Sequence, residues 1–197
     1  MIIYDIEIEK AILGRRDTPK ENIKYCGGFN DYQNMGIAVI GAFDTEVGRT
    51  RVFLKDNFAD FQKLIDSTDC IIGFNNHRFD NRILRANGID FGVGKSYDIL
   101  EEIWRGLGLS MNFHPATHGG LSLDAFAYAN FRIRKTGSGA TAPIDWQEGR
   151  KGAVIDYCLA DVEMTRRLVQ KILWQGKLKH PVTNHDIIIR KPSPEVK

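Results

Sequence analysis

The sequence predicts an α/β fold in which a mixed sheet is flanked by helices. Strand-like apolar runs at residues 2–8, 36–43 and 50–54 come first, and the turn residues 44–48 separate the last two, which predicts a three-strand meander. After residue 55, helical patterns alternate with a short apolar run, which predicts parallel strands connected through helices. The two patterns together favour a single mixed sheet covered by helices.

The first strand contains two acids where a core strand would carry valine or leucine. Side chains alternate between the faces of a strand, so Asp5 and Glu7 point the same way, with Cα atoms roughly 6.6 Å apart. Two carboxylates at this spacing can share one metal ion. In a strand covered on both sides they are costly unless something positive pairs with them. The alternative is an edge strand with solvated acids.

The later elements follow from apolar spacing and cap residues. Apolar side chains at helical spacing from Phe58 to Ile65 predict a helix, with Asp56 or Asn57 as its cap. The apolar run at 70–74 predicts a buried strand. Further helices are predicted at residues 79–86, 98–107, 121–130 and 149–174.

Three connections lack a clear helical or strand pattern. Residues 10–35 are polar and rich in glycine and predict a long loop or irregular hairpin. Between the helices at 98–107 and 121–130, Pro115 argues against a helix beside His114. Residues 132–145 predict a basic loop that contains glycine.

Size and composition are typical of one soluble intracellular domain. The chain has 197 residues, 43% of them hydrophobic and 26% charged, and a net charge of +2, which does not by itself mark a nucleic-acid binder. Its three cysteines form no CxxC pair, and no apolar stretch approaches the ~20 residues needed to cross a bilayer. We expect a cytoplasmic protein with no membrane contact, a domain over 1–176, and a tail over 177–197 that is an arm or partly disordered.

Two further segments contain an acidic residue at a position where it could bind a ligand or a metal ion. Asp80 follows a buried strand at the start of a helix, where α/β sheets bind ligands and where the helix dipole favours a carboxylate. Simple helix capping is the alternative. Tyr157 and Asp161 are four residues apart and share an apolar helix face with Val154 and Leu168. The alternatives there are a core tyrosine and a salt bridge from Asp161 to an arginine.

In chain order, these segments read D-x-E, N-x-x-F-D and Y-x-x-x-D, and together they resemble the DEDDy branch of the DnaQ-like 3′→5′ exonucleases over about residues 1–175. The resemblance implies a ribonuclease H-like fold. It also implies that Tyr157 orients the attacking water and that Phe79 and Asn76, or Asn75, belong to the substrate-binding motif. The metal-binding carboxylates that it implies are Asp5, Glu7, Asp80 and Asp161.

The chain departs from the family pattern in two places. Ile8 stands where the family usually has a small or hydroxylated residue, and the 10–35 segment is longer than the usual link. Both departures concern substrate preference rather than the type of reaction.

The resemblance implies hydrolysis of phosphodiester bonds from the 3′ end of single-stranded DNA or RNA. Two divalent cations suit such a reaction, and oxygen ligands suit Mg²⁺ or Mn²⁺. Arg132 and Arg134 are candidates for substrate contacts, as are Lys135, Arg150 and Lys151, although each is also explained as a solvated surface charge.

The activity would be free-standing or supplied in trans to a polymerase or another replication or repair protein. Two alternatives remain open. One is a non-catalytic module of the same fold that binds nucleic-acid ends or a partner, and the other is a structural module whose acids only form salt bridges.

Overall fold

A computed structural model describes residues 1–14 and 17–193. The strands in chain order are β1 (Ile2–Ile8), β2 (Ala11–Ile12), β3 (Tyr25–Cys26), β4 (Ile37–Asp44), β5 (Arg49–Phe53), β6 (Ile71–Gly73), β7 (Ser96–Asp98), β8 (Lys177–Lys179) and β9 (Asp186–Ile188). The helices are α1 (Tyr32–Met35), α2 (Phe58–Asp66), α3 (Asp80–Ala86), α4 (Ile99–Gly106), α5 (Pro115–His118), α6 (Leu123–Phe131), α7 (Ala142–Gln147) and α8 (Lys151–Gln175), with a 3₁₀ turn at Val93–Lys95.

A five-stranded mixed sheet with the order β5-β4-β1-β6-β7 lies at the centre. β1 pairs antiparallel with β4 and parallel with β6, while β5 continues the antiparallel side and β7 the parallel side. The predicted mixed sheet of a meander and parallel strands is therefore confirmed, and it is compatible with a ribonuclease H-like fold. The sequence analysis did not predict β7, because Ser-Tyr-Asp has no apolar run.

The two faces of β1 belong to different parts of the core. Ile2, Tyr4 and Ile6 join the apolar cluster that includes side chains of α2 and α3, whereas Ile3 joins the cluster that includes α4, α6 and α8. Because faces alternate along a strand, Asp5 and Glu7 share the face of Ile3. Both acids therefore point toward the side of the sheet on which α8 packs.

Gly41 of β4 lets α8 approach the sheet closely. It pairs with Asp5 in the β1–β4 register, and a Cβ atom at this position would lie 3.0 Å from Sγ of Cys158 and 3.1 Å from Cγ2 of Val162. The close approach brings this part of α8, with Asp161 one residue before Val162, over the acids of β1.

The connections contain more structure than their sequences predict. β2 and β3 form a parallel pair within 10–35, and residues 15–16 of this segment lie outside the described residues. The expectation that Pro115 excludes a helix was wrong, since Pro115 occupies the first turn of α5, where no N–H bond is lost. The last four residues of the predicted 132–145 loop likewise belong to α7.

The segment after α8 also folds. β8 and β9 pair antiparallel, and Leu178 and Ile187 are buried in the cluster shared with α4, α6 and α8. The hairpin of β8 and β9 is thus packed on the same core rather than extended as an arm, and residues 194–197 lie outside the described residues.

At α2, Asn57 occupies the cap position. Its side chain accepts a hydrogen bond from the Leu54 N–H instead of from the helix. Within the described part of the chain, every helix is too short or too polar to cross a bilayer.

Candidate active site

The five residues predicted to carry the chemistry line one cavity of about 430 Å³. Asp5 and Glu7 come from β1, Asp80 is the first residue of α3, and Tyr157 and Asp161 lie one turn apart on α8. Three elements that are distant in sequence therefore converge on this cavity. The central position of β1 in the sheet and the packing of α8 against it bring these side chains together.

Three of the carboxylates form a tight group. One carboxylate oxygen from each of Asp5, Glu7 and Asp161 lies within 4.8 Å of the other two. Glu7, Asp80 and Asp161 are buried and Asp5 is partly buried, so solvent screens their mutual repulsion poorly. Such a group needs positive charge or bound protons.

Lys135 supplies one positive charge directly. Its ammonium forms an ion pair with Asp161 and donates a hydrogen bond of 3.1 Å to the hydroxyl of Tyr157. The salt-bridge alternative for Asp161 is thus present, but the partner is a lysine from the 132–145 segment. Nothing in the local spacing of Lys135 singled it out among the neighbouring basic residues.

The pKa values of the acids are raised, chiefly by burial. Burial and the carboxylates of Asp161, Asp80 and Glu7 hold the pKa of Asp5 well above its usual range. Burial, with a contribution from Asp161, raises the pKa of Glu7 to about 8, and burial raises that of Asp80 to about 7.

The two α8 residues are also shifted. The pKa of Asp161 is raised by burial, against the opposing effect of Lys135. Burial and the neighbouring Asp161 raise the pKa of Tyr157 to about 12, so its hydroxyl keeps its proton at neutral pH. In the absence of a cation, the acid cluster is therefore a proton-binding site.

The donor set fits divalent cations. Among the residues that the structure describes, Oδ2 of Asp5 and Oδ1 of Asp161 are buried oxygens that accept no hydrogen bond. Orphaned buried acceptors are costly, and a hard cation with oxygen ligands would satisfy them. Asp5, Glu7 and Asp161 could hold such an ion together, and Asp80 lines the same cavity.

Of the predicted substrate-binding residues, Phe79 lines the cavity and Asn76 does not. The Asn76 amide points into the core and donates to Oγ of Ser96 at 3.0 Å and to the Tyr4 hydroxyl at 3.4 Å. The other candidate asparagine, Asn75, lines the cavity. Its backbone is left-handed, with a φ of 65°.

Arg132 and Arg134 are not among the residues that line the acidic cavity. Arg134 pairs with Asp124 at 2.7 Å and stacks over the ring of Tyr128, 3.8 Å from its centre. Arg132 ends α6 and also lies over Tyr128, at 5.1 Å. Both are held on the outer surface of α6, while Lys135, one residue beyond Arg134, turns inward.

The 10–35 segment contributes a wall that the motifs did not predict. Ile12, Gly14, Asp17 and Phe29 line the cavity. The sequence feature that could have indicated this wall is the unusual length of the segment, which the sequence analysis connected with substrate preference.

A second group of possible ligands has a structural role. Atoms of His77, Asp98 and Glu101 also lie within 4.8 Å of one another. The Asp98 carboxylate, however, accepts from the backbone N–H groups of Asn75, His77 and Leu100 at 2.9–3.0 Å. It therefore caps α4 and fixes the β6–α3 connection that carries Asp80.

Comparison with known proteins shows a likeness in fold and none in sequence family. The sequence matches no protein-family model, and no curated protein matches it. The fold resembles part of a DNA polymerase. A solved family B DNA polymerase from the hyperthermophilic archaeon Pyrobaculum calidifontis matches with a TM-score of 0.56 and 19% sequence identity. The match covers 87% of this chain and 24% of the polymerase, so this chain is similar in fold to about a quarter of that protein.

Proposed function

We propose that this protein is a metal-dependent 3′→5′ exonuclease that hydrolyses phosphodiester bonds at the 3′ end of single-stranded DNA or RNA. The observation that carries the proposal is the convergence of Asp5, Glu7, Asp80, Asp161 and Tyr157 on one cavity, with buried carboxylate oxygens of Asp5 and Asp161 unpartnered among the described residues. The motif order supports the same assignment.

Each residue has a role that its surroundings support. The four carboxylates would hold two Mg²⁺ or Mn²⁺ ions, which when bound supply stabilisation of charge on the attacking and leaving oxygens. Tyr157 keeps its proton and is a hydrogen-bond donor for the attacking water, because its pKa is raised to about 12. Lys135 holds the Tyr157 hydroxyl and neutralises Asp161.

The substrate is proposed from the shape and lining of the cavity. A volume of about 430 Å³ is large enough to hold one nucleotide. The likeness in fold to a DNA polymerase supports a nucleic-acid substrate, and action in trans with a polymerase or another replication or repair protein remains part of the proposal.

The three cysteines are free and buried, which favours the cytoplasm as the proposed location.

One observation favours a different function. Lys135 already provides Asp161 with a cation, as it would in a module of the same fold that binds nucleic-acid ends without cleaving them. This alternative predicts binding without turnover.

The test uses 5′-labelled single-stranded DNA and RNA oligonucleotides with Mg²⁺, Mn²⁺ or EDTA. The exonuclease predicts a ladder that shortens from the 3′ end with either metal and disappears in EDTA. Intact strands in every reaction, together with tight binding, would replace the exonuclease with the end-binding module.

A further inference from the structure

Phe29 is an exposed aromatic side chain in the wall of the acidic cavity. About 71% of its surface is exposed, although it lines the same cavity as Asp5 and Tyr157. A single exposed apolar residue needs no explanation by itself. A large aromatic ring at the mouth of a cavity lined with carboxylates does, because it presents a flat apolar face beside acidic groups that could hold cations.

The backbone around Phe29 is held in position. The Asp31 N–H donates to the Gly28 carbonyl at 3.0 Å, which closes a turn with Phe29 inside it. The Asp31 carboxylate accepts from the Gly27 N–H at 2.7 Å and from Nδ2 of Asn34 at 2.7 Å. The ring is thus presented on an ordered turn, so that little backbone entropy remains to be lost when a ligand binds.

The segment that carries Phe29 is also fastened to α7. The side-chain amide of Gln147 accepts from the Lys24 N–H at 2.7 Å and donates to the carbonyls of Lys24 and Glu9 at 3.1 Å. Because Gln147 belongs to α7, these bonds anchor the 10–35 segment beside the cavity.

We propose that Phe29 is a stacking platform for the base of the 3′-terminal nucleotide, an inference that rests on the proposed exonuclease function. Proteins that bind single strands without sequence preference combine charged backbone contacts with aromatic faces, since every base has a π-face. Phe74 and Phe79 add apolar lining from the β6–α3 connection. The resulting site binds the base without selecting its identity.

The test compares Phe29→Ala with Phe29→Tyr, which keeps the ring. Trp174→Ala is the matched control, because Trp174 is also an exposed aromatic residue, 81% exposed, and does not line the cavity. In steady-state cleavage, Phe29→Ala should raise KM about 10-fold with little change in kcat. The KM of Phe29→Tyr and Trp174→Ala should stay near that of the wild type.

A binding measurement separates this inference from the exonuclease itself. A strand with 2-aminopurine at its 3′ end is bound in Ca²⁺, and gels confirm that it stays intact. Stacking should quench the fluorescence with the wild type and Phe29→Tyr, and the quenching should be lost with Phe29→Ala. Equal quenching and equal KM in Phe29→Ala would overturn the platform and leave the exonuclease standing. Quenching by a wild type that never cleaves would refute the exonuclease and support the stacking contact.

Discussion

Asp5 and Glu7 lie on the face of β1 that α8 covers, and there they meet Asp161. Both acids alternate with isoleucine and therefore lie on one side of a central strand. This placement buries the two carboxylates, which is costly, and it also brings them close enough together to bind a cation. The sequence alone identifies this pair. The identity of the counter-ion was not predictable, because Lys135 reaches Asp161 through a loop that has no periodic pattern.

Tyr157→Phe tests the proposed role of the tyrosine hydroxyl. Its removal should lower kcat about 10- to 100-fold, since the attacking water loses an orienting donor. The rise in melting temperature caused by Mn²⁺ should persist, because the carboxylates are unchanged. Tyr128→Phe, on the exposed side of α6, is the control and should retain full activity. Full activity in Tyr157→Phe would remove the hydroxyl from the mechanism.

Lys135→Met tests the internal ion pair. In EDTA the free energy of unfolding should fall by about 2 kcal/mol, which is less than the cost of about 3–5 kcal/mol for a fully buried pair because a quarter of the lysine side chain is exposed. Mg²⁺ should recover much of the loss by taking over Asp161. Urea unfolding with and without Mg²⁺ measures both effects. Lys151→Met, at an exposed position of α8, should change stability by less than about 0.5 kcal/mol. An equal loss of unfolding free energy with and without Mg²⁺ would argue that Mg²⁺ does not bind at the carboxylate that Lys135 contacts.

At the scale of elements, residues 137–139, in the segment before α7, lie against the side chain of Tyr157. A Cβ atom at Gly137 would lie 3.0 Å from Cδ2 of the Tyr157 ring, whereas one at Gly139 would lie 3.9 Å from the hydroxyl, an ordinary contact distance. The glycine at 137 therefore allows the loop to pass over the ring.

Gly137→Ala should push the Tyr157 ring out of place and slow cleavage nearly as much as Tyr157→Phe. Gly139→Ala is the matched control and should stay close to the wild type in kcat. Circular dichroism should show that both variants are folded. Equal rates for the two variants would contradict the proposed contact between loop and ring.

The strength of the sequence signal explains which elements could be predicted. The strands β1, β4 and β6 and the helix α8 have long or strongly patterned apolar residues, and the structure contains them. The strand β7 was missed because its pairing with β6, rather than its own composition, makes it a strand. The hairpin of β8 and β9 was missed because only Leu178, Ile187 and Ile189 of that polar segment are buried.

The residues of the candidate site divide in the same way, into those with a clear sequence signal and those without one. That the five motif residues face one cavity could be expected from the sequence, because they occupy regular elements, where spacing fixes the direction of a side chain. Which of Asn75 and Asn76 lines the cavity could not be predicted, because it depends on the backbone of the β6–α3 connection, which is left-handed at Asn75. The contribution of Phe29 depends on how the 10–35 segment folds back over the cavity, which no local pattern specifies.

At the scale of the whole molecule, the acid cluster couples stability to pH. The raised pKa values of Glu7, about 8, and Asp80, about 7, mean that the metal-free folded protein holds protons that the unfolded chain releases near pH 4 to 5. Where the folded state binds more protons, the free energy of unfolding falls as pH rises. Stability should therefore decline between about pH 5 and pH 8.

The expected result in EDTA is a melting temperature several degrees lower at about pH 8.5 than at about pH 5.5. Mg²⁺ or Mn²⁺ should raise it more at the higher pH, because cations then bind ionised carboxylates. Thermal melts of the wild type and of Glu7→Gln measure the effect, and the variant should have the weaker pH dependence. A melting temperature that rises with pH in EDTA would contradict the buried cluster.

The most direct test of the central claim compares Asp5→Ala with Asp17→Asn in cleavage of 5′-labelled single strands in Mg²⁺. Both positions line the cavity, but only Asp5 belongs to the cluster that it forms with Glu7 and Asp161. The Asp17 carboxylate instead accepts a hydrogen bond from the Gly14 N–H. We predict that Asp5→Ala binds the strand and fails to shorten it, and that Asp17→Asn cleaves at close to the wild-type rate. Full activity in Asp5→Ala would contradict the account.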